Sequence, residues 1–221
     1  MYKSLKVLND NVIHCKLCPR LVDYREHSPT RLVFANQNYW RKPVPGFGDP
    51  NAWLMILGLA PSAQGGNRTG RIFTGDASAK FLYKALYEVG FANHAHSEFK
   101  DDGLQLYGCY MTAMVKCVPP KDKPTREECI TCSRYWRNEL QLLKNLKAIL
   151  ALGSMAFDSV RLLAKENGHN MSKLKFAHGA SYSIEGLPLI YCSYHPSPQN
   201  TNTGKMTSQM FCDLLRRIKR E

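Results

Sequence analysis

The sequence has no long apolar segment, no internal repeat and no low-complexity tract. None of its apolar runs reaches the roughly 18 residues needed to span a bilayer. Its start, MYKSLKVLNDNVIHC, lacks the long apolar core of a signal peptide, and neither end carries a lipidation signal. These absences argue against membrane-spanning, lipid-anchored and secreted proteins, and we expect an intracellular protein.

Acidic residues are also scarce. The chain has 18 Asp and Glu against 30 Lys and Arg, which gives a formal net charge of +12. Such a surface attracts polyanions, and nucleic acid is the first candidate partner. The length of 221 residues lies within the usual range for one domain. We predict a single domain over residues 1–221, and a monomer because no heptad pattern is present.

Apolar runs of strand length alternate with segments of helical periodicity, an order that predicts an α/β fold with a mostly parallel sheet and helices on both faces. The second helical segment opens with Thr125 and Glu128, the spacing of a capping box. The predicted strands are 53–57, 107–115, 148–152 and 189–193, and the predicted helices are 77–89, 126–145, 154–166 and 206–219.

A glycine-rich loop, residues 58–76, leaves the first predicted strand. Glycine lets backbone N–H groups come close to an anion or a flat ring. Arg68 and Arg71 are candidate phosphate ligands, Phe73 is a candidate for stacking on a base, and Asp76 is a carboxylate at the start of the next helix. The competing interpretation is a flexible surface loop.

A second polar segment, residues 195–207, follows the last predicted strand and begins with His195. Pro196 and Pro198 stiffen its entry. The polar side chains that follow are Gln199, Asn200, Asn202, Thr203 and Lys205. Because ligands bind at the carboxyl ends of parallel strands, this segment and the glycine-rich loop are predicted to meet at one cleft. The alternative is a solvated turn.

Eight cysteines in a reducing compartment are expected to be thiols or metal ligands rather than disulfides. Cys15 and Cys18 form a C-x-x-C pair, and Cys117 and Cys132 are candidate distant partners. Four thiolates suit zinc or an iron–sulfur cluster, and their spacing does not choose between the two. Cys129 could replace Cys132, because residues three apart share one face of a helix. Small buried thiols are expected at Cys109, Cys192 and Cys212.

Several of these segments together resemble the uracil-DNA glycosylase superfamily, and within it the family 5, or type B, iron–sulfur enzymes of bacteria and archaea. The resemblance covers nearly the whole chain, from about Cys15 to the last helix. It rests on GLAP at 58–61, NRTGR at 67–71 followed by Phe73 and TGD at 74–76, HPSP at 195–198 with NTGK at 202–205, and CVPP at 117–120.

The resemblance implies a three-layer α/β/α sandwich around a short, mostly parallel central sheet. It also implies a 4Fe-4S cluster that ties the N-terminal segment to the rest of the domain. The implied ligands are Cys15, Cys18, Cys117 and Cys132. The partner would be DNA that contains damaged bases, in the cytoplasm of a prokaryotic cell and without a membrane.

The implied reaction is hydrolysis of the N-glycosidic bond between a damaged base and deoxyribose, which leaves an abasic site. By resemblance, Asp76 would orient or activate the water. His195 would donate a hydrogen bond to the carbonyl oxygen of the leaving base, as neutral imidazole or as imidazolium. Phe73 would stack on the base after it has been flipped out of the helix. The rest of the base pocket would involve Leu59, Ala60, Pro61 and Ala113.

Contacts to the DNA are assigned to both polar segments by the same resemblance. Residues 198–206 would form a loop that fills the gap left in the base stack. Arg68 and Arg71 would lie near phosphates, as would Lys205, and Gln199 and Asn202 would contribute to the same interface.

Three positions bear on the choice of base. Sister families carry a polar side chain where this chain has Leu59, which is typical of family 5 and directs attention to Asp76. Ala113 stands where relatives often have Asn, and Gln64 where close relatives tend to have His. Loss of the Asn amide should weaken discrimination for uracil. We therefore expect a broad pocket that also accepts other deaminated bases such as hypoxanthine.

Two other classes of protein account for part of the sequence. A non-catalytic, metal-containing nucleic-acid-binding module would explain the charge and the cysteines, but it would leave Asp76, Phe73 and His195 without a role. A hydrolase or transferase of free nucleotides could use the glycine-rich loop to bind phosphate.

Overall fold

A six-stranded sheet forms the centre of the structure, a computed structural model that describes residues 2–221. The strands are β1 (Phe47–Gly48), β2 (Leu54–Gly58), β3 (Cys109–Ala113), β4 (Ala148–Leu152), β5 (Ser181–Tyr182) and β6 (Leu189–Ser193). Their order is β1-β3-β2-β4-β6-β5, with four parallel central strands and a short antiparallel strand at each edge.

Eight α-helices are present in the described residues. They are α1 (Leu5–Val12), α2 (Pro19–His27), α3 (Gly66–Thr69), α4 (Ala77–Val89), α5 (Arg126–Leu142), α6 (Ser154–Glu166), α7 (Pro198–Asn202) and α8 (Ser208–Arg220). None of the helices within residues 2–221 is long and apolar enough to cross a membrane.

Two apolar cores lie on opposite faces of the sheet. In β2, Leu54 and Ile56 belong to the core that includes residues of α4 and α8, whereas Met55 and Leu57 belong to the core that includes residues of α1, α5 and α6. Side chains of a strand alternate between faces, and a parallel sheet that is covered on both faces has continuously apolar strands. The predicted α/β/α sandwich with a short, mostly parallel sheet is therefore confirmed.

The four central strands and the four long helices after them lie close to the predicted positions. The predicted strand 107–115 is shorter, at 109–113, and the predicted helix 126–145 ends at Leu142. The predicted capping box is present, because the side chain and backbone of Thr125 exchange hydrogen bonds with those of Glu128. Four elements of the structure were not predicted, namely α1, α2 and the two edge strands, and the expected loop 198–206 begins with the short helix α7.

Strand order brings the glycine-rich loop and the His195 segment to one edge of the sheet. β2 and β6 both pair with β4 and run parallel to it, so their carboxyl ends lie at the same edge. The chain passes from β2 to β3 on one side and then to β4 on the other side of β2. Such a reversal is the place where open α/β sheets bind ligands.

Candidate active site

Asp76 is the N-cap residue of α4, directly before Ala77, and two contacts hold its carboxylate. Its Oδ1 accepts a hydrogen bond from the backbone N–H of Ala79 at 2.8 Å, and its Oδ2 accepts one from the Ser62 hydroxyl at 2.6 Å. The first contact is the usual N-cap of a helix. The carboxylate is thus fixed in orientation while the residue stays partly exposed to solvent.

Gly65 makes the contact between Ser62 and Asp76 possible. A Cβ atom at this position would lie 2.3 Å from Asp76 Oδ2 and 2.4 Å from Ser62 Oγ. Only glycine therefore fits here without displacing the carboxylate. The role of the Ser62 side chain was not predictable from the sequence, because only its distance to the carboxylate distinguishes it from other loop serines.

Phe73 adopts a backbone conformation that non-glycine residues rarely use, with φ of 49°. Its ring is buried against the end of β2, where a Cβ atom on Gly58 would lie 2.8 Å from Phe73 Cζ. Strained residues persist where the surrounding structure holds them, and they cluster at functional sites. The ring is thus placed on the strand end beside the loop.

The His195 ring lies beside that of Phe73, with ring centroids 5.9 Å apart and an interplanar angle of 32°. Burial lowers the pKa of His195 below its ordinary value of 6.5, although the carboxylates of Asp76 and Asp122 act in the opposite direction. Burial therefore favours the neutral imidazole over the imidazolium at pH 7. Asn200 stabilises the backbone here, because its amide donates to the carbonyl oxygen of His195 at 2.8 Å.

Asp122 is a residue near the site that sequence reasoning missed. It ends a single 3-10 turn, Pro120–Asp122, that begins at the last residue of the C-x-P-P segment, and its carboxylate acts on the charge of His195. Lys121 and Asp122 have φ of 54° and 55°. Asp adopts this left-handed conformation more readily than most residues. Its residue type gives no other local indication of a role at the site.

Ala113 lies opposite Gly58 in the parallel pairing of β2 and β3. It is buried, and its methyl group offers no hydrogen bond at the strand end. The backbone carbonyl of Leu59 accepts a hydrogen bond from Val115 at 3.0 Å, which ties the first turn of the glycine-rich loop to the chain after β3. Leu59 and Ala60 are partly buried, and Pro61 is buried.

The structure corrects the prediction that Arg71 binds phosphate. Its guanidinium is buried and donates to Asp102 Oδ2 at 2.6 Å, Ser97 Oγ at 2.7 Å and Thr74 Oγ1 at 2.9 Å. Burial raises the pKa of the Asp102 carboxyl, but hydrogen bonds from Arg71 and from three backbone N–H groups outweigh burial and hold the pKa well below its usual range. Arg71 thus stabilises the interior of the protein by connecting its own loop to the loop that carries Ser97 and Asp102.

The prediction for Arg68 is corrected in the same way. This arginine is buried, and its donors are used by Gln64 O at 2.7 Å, Gln37 Oε1 at 2.6 Å and Gly75 O at 3.1 Å. The guanidinium also lies over the Phe34 ring, 4.0 Å from its centroid. Because its hydrogen bonds hold neighbouring loops together, Arg68 is not available to a phosphate.

The other three predicted DNA contacts are exposed. Gln199 and Asn202 lie on α7, and Lys205 follows in the next turn. Lys205 Nζ lies 4.7 Å from the centroid of the Tyr194 ring, next to His195 in the chain. These side chains are free to meet a ligand at the same strand end as His195.

The predicted Cys15, Cys18, Cys117 and Cys132 line one small pocket between α2, α5 and the segment after β3. Cys129 does not line it, so the structure favours Cys132 as the fourth member. No group of three or more His, Cys, Asp or Glu side chains in residues 2–221 is arranged to hold a single metal ion. As predicted, Cys109, Cys192 and Cys212 are buried elsewhere.

Nitrogen donors reach two of these sulfur atoms. The backbone N–H of Lys116 lies 3.2 Å from Cys132 Sγ, and Arg25 Nη1 lies 3.3 Å from Cys117 Sγ. Burial raises the pKa of the Cys117 thiol to about 11, although Arg25 lowers it, and burial raises that of Cys132 to about 12. The pocket thus disfavours bare thiolates, and a bound cationic centre would remove that cost.

A buried ion pair fixes the chain beside this pocket. Lys116 Nζ donates to Glu139 Oε1 at 2.8 Å, and both side chains are almost completely buried. The pair connects the segment after β3 to α5, the two elements that carry Cys117 and Cys132. The distance between Cys117 and Cys132 therefore depends on how α5 is held against the segment after β3.

Comparison with known proteins relates the chain to uracil-DNA glycosylases. A model of the uracil DNA glycosylase superfamily matches residues 45–219. The chain is 48% identical over 207 residues to the type-5 uracil-DNA glycosylase of Thermus thermophilus, with 93% of each chain covered. It is 43% identical to the enzyme of the same name from Pyrobaculum aerophilum, over 94% of this chain and 89% of that one. A type-4 uracil-DNA glycosylase from Sulfurisphaera tokodaii is 28% identical, over 94% of this chain and 82% of the relative.

Proposed function

Because the chain belongs to the uracil DNA glycosylase superfamily, we propose that it is a DNA-repair glycosylase that hydrolyses the N-glycosidic bond of uracil in DNA and leaves an abasic site. The observation that carries this proposal is the meeting of three groups at one strand edge. They are the oriented carboxylate of Asp76, the ring of Phe73 and the neutral imidazole of His195.

Asp76 is assigned to the water and to the sugar. The transition state of glycosidic cleavage has positive charge on the sugar and negative charge on the departing base, so each needs a stabilising partner. A carboxylate that is already held by Ala79 N–H and Ser62 Oγ does not have to be ordered during the reaction. It would orient the attacking water and offset the charge that develops on the sugar.

His195 and Phe73 are assigned to the base. A neutral imidazole can donate one hydrogen bond to the carbonyl oxygen of the leaving base, and it carries no charge that must be desolvated when the base enters. Phe73 would stack on the flipped-out base. Phe73 and Asp76 belong to the same tight turn, so the base and the water would be positioned by one rigid loop.

Ala113 supports a broad choice of base, which extends the proposal to hypoxanthine. A pocket that hydrogen-bonds the edge of a base rejects the analogues that lack the matching group. The buried methyl group of Ala113 makes no such bond. Deaminated bases share a carbonyl oxygen that His195 could reach, so uracil and hypoxanthine would both be cleaved.

We also propose that Cys15, Cys18, Cys117 and Cys132 hold a 4Fe-4S cluster. Support comes from the four thiols that line one pocket and from N–H donors that lie close to two of the sulfur atoms. Hydrolysis needs no electron transfer, and the cluster would serve as a cross-link of the N-terminal segment to the rest of a single domain. Cys15→Ala should therefore lower the melting temperature and the bound iron together, and full stability of this variant would contradict the assignment.

Single-turnover release of base from three labelled duplexes tests the catalytic proposal. The duplexes carry one uracil, one hypoxanthine or one xanthine, and alkaline cleavage reveals each abasic product. Asp76→Asn retains a residue that caps helices and should reduce the rate about 10²- to 10⁴-fold, the usual contribution of a positioned acid or base. The matched control is Asp158→Asn, which changes an exposed carboxylate on α6.

Each outcome decides between the candidates. Abasic product that is lost only in Asp76→Asn supports the catalytic proposal, and strict activity on uracil would overturn the broad pocket alone. Tight binding of all three duplexes without product would favour the non-catalytic binding module instead.

A further inference from the structure

The turn at residues 31–34 carries an unusual pair of exposed apolar side chains. Leu32 is 94% exposed and Val33 is 78% exposed, the two highest values among the large hydrophobic residues of the described chain. We call this pair the apolar tip. Single exposed apolar residues are common, but two adjacent ones on a short 3-10 turn form a protrusion that water solvates poorly.

The apolar tip is tied to the loop that carries Asp76. The next residue, Phe34, lies under the guanidinium of Arg68, and Gln37 Oε1 accepts a hydrogen bond from the same group at 2.6 Å. Arg68 in turn donates to the carbonyl oxygen of Gly75 at 3.1 Å. Gly75 directly precedes Asp76, so one buried arginine connects the tip to the carboxylate.

Gln64 provides a second tie on either side of the tip. Its Nε2 donates to the carbonyl oxygen of Pro29 at 2.7 Å, and its Oε1 accepts from the hydroxyl of Tyr39 at 2.6 Å. Residues 29–40 thus rest on the glycine-rich loop through both flanks. The tip is fixed relative to the site rather than free to swing.

A second loop, residues 97–100, also contacts Gly75 and also carries an exposed apolar side chain. The backbone N–H of Gly75 donates to the carbonyl oxygen of Ser97 at 2.8 Å, and Phe99, two residues on, is 60% exposed. Lys100 lies over the ring of Trp40, 4.7 Å from its centroid, and Lys42 lies over the same ring at 5.4 Å. The surface around the site therefore combines exposed apolar side chains with exposed cations.

We propose that the apolar tip binds duplex DNA, with Leu32 and Val33 inserted into the base stack beside the flipped-out nucleotide while nearby cations contact the phosphates. Apolar side chains that wedge between base steps are a known way to unstack and bend a duplex, and cations fix the position of the backbone. The inference rests on the proposed function, because it assumes that DNA is the ligand at the Asp76 site.

DNA fits this surface better than an apolar protein partner does. An aliphatic pair flanked by exposed Arg31, and by Lys42 and Lys100 on the neighbouring surface, offers both a wedge and a counter-charge for phosphate. The net charge of +12 favours the same ligand. The tip would act on the duplex from the glycine-rich loop, independently of the exposed residues of α7.

The test compares the double substitution Leu32→Ser/Val33→Ser with the control Tyr107→Ser. Tyr107 is 50% exposed but precedes β3, at the opposite edge of the sheet from the site. The probe is a uracil duplex with 2-aminopurine next to the lesion, whose fluorescence rises when that base is unstacked. We expect the double variant to bind this duplex at least tenfold more weakly and to lose the fluorescence rise, with wild-type melting temperature.

The control should behave as the wild type in both measurements. Affinity within twofold of wild type and an unchanged fluorescence rise in the double variant would overturn the inference. A binding defect that also appears in Tyr107→Ser would overturn it too. Failure of the proposed function gives a different result, namely wild-type protein that binds the duplex but produces no abasic site.

Discussion

Two polar segments meet at the same edge of the sheet and use their polar groups differently. In the glycine-rich loop, Arg68 and Arg71 are buried, and their guanidinium groups donate to neighbouring loops. In the segment after β6, Gln199, Asn202 and Lys205 are exposed. Both segments had the composition expected of a DNA contact, but only the second presents its predicted side chains to solvent.

This difference shows that some polar side chains of the site hold its shape, whereas others remain exposed for a ligand. A glycine-rich loop has few side chains with which to hold its own shape, so its arginines supply the hydrogen bonds that fix the positions of Phe73 and Asp76. The His195 segment is stabilised by prolines, by α7 and by Asn200. Its remaining polar groups are therefore free for a ligand.

The largest expected effect of breaking this contrast is the loss of stability in Arg71→Met. The substitution leaves Asp102 buried without its cation, and removing one partner of a buried pair typically costs about 3–5 kcal/mol. The free energy of unfolding, measured with denaturant, should fall by that order. Lys205→Met is the matched control and should leave it unchanged, whereas equal losses in the two variants would erase the contrast.

Acid should produce a related loss of stability in the wild-type protein. The folded-state pKa of Asp102 lies below its unfolded value, so this group contributes stability above about pH 4 and loses the contribution as the pH falls through its folded pKa. Asp102→Asn should flatten this part of the curve of unfolding free energy against pH. An unchanged acid limb would show that other carboxylates dominate.

A smaller effect, on affinity for DNA, is expected when one of the exposed side chains after β6 is removed. Lys205→Met deletes a cation that we assign to a phosphate, so affinity for DNA should weaken by a similar factor for every sequence. The slope of log affinity against log salt should decrease by about 1. Arg68→Met, tested at a temperature where it is folded, should not change that slope, because its guanidinium already donates within the protein.

The smallest expected effect is a shift in the midpoint of the curve of single-turnover rate against pH. If His195 acts as the neutral imidazole, the single-turnover rate should rise with pH through a midpoint below 6.5 and then level off. Asp122→Asn removes a charge that favours the imidazolium, so the midpoint should move lower still. A midpoint that stays in place, or moves upward, would show that Asp122 does not act on His195.

Sequence patterns predicted the sandwich because its four central strands are buried on both faces and are therefore continuously apolar. The edge strands were missed because two residues, such as Phe47 and Gly48, carry no periodicity. Helix α1 could have been found, since Ser4 is an N-cap residue and Leu5, Leu8 and Val12 follow at helical spacing. Helix α2 opens with Pro19 at its first turn, which is also a recognised signal.

The candidate site was predictable in its members but less so in its contacts. Asp76, Phe73 and His195 stand in recognisable motifs, and strand order brings them together. The burial of Arg71 was not predictable, because it depends on Asp102 and Ser97, which lie in a loop 26 to 31 residues away. Ser62 and Asp122 were missed for the same reason: each acquires its role only through a neighbour in space.

The position of the first 28 residues has a consequence for how the protein is made. Arg20 binds Glu128, Arg25 binds Cys117, and α1 packs against α5, so α1 and α2 dock onto residues that leave the ribosome much later than they do. At about 5–20 residues per second, translation leaves α1 and α2 without Cys117 and α5 for roughly 5–25 s. If the four cysteines hold the proposed cluster, iron delivered before Cys132 emerges would meet an incomplete set of ligands. Slower translation would lengthen the interval in which α1 and α2 lack their partners.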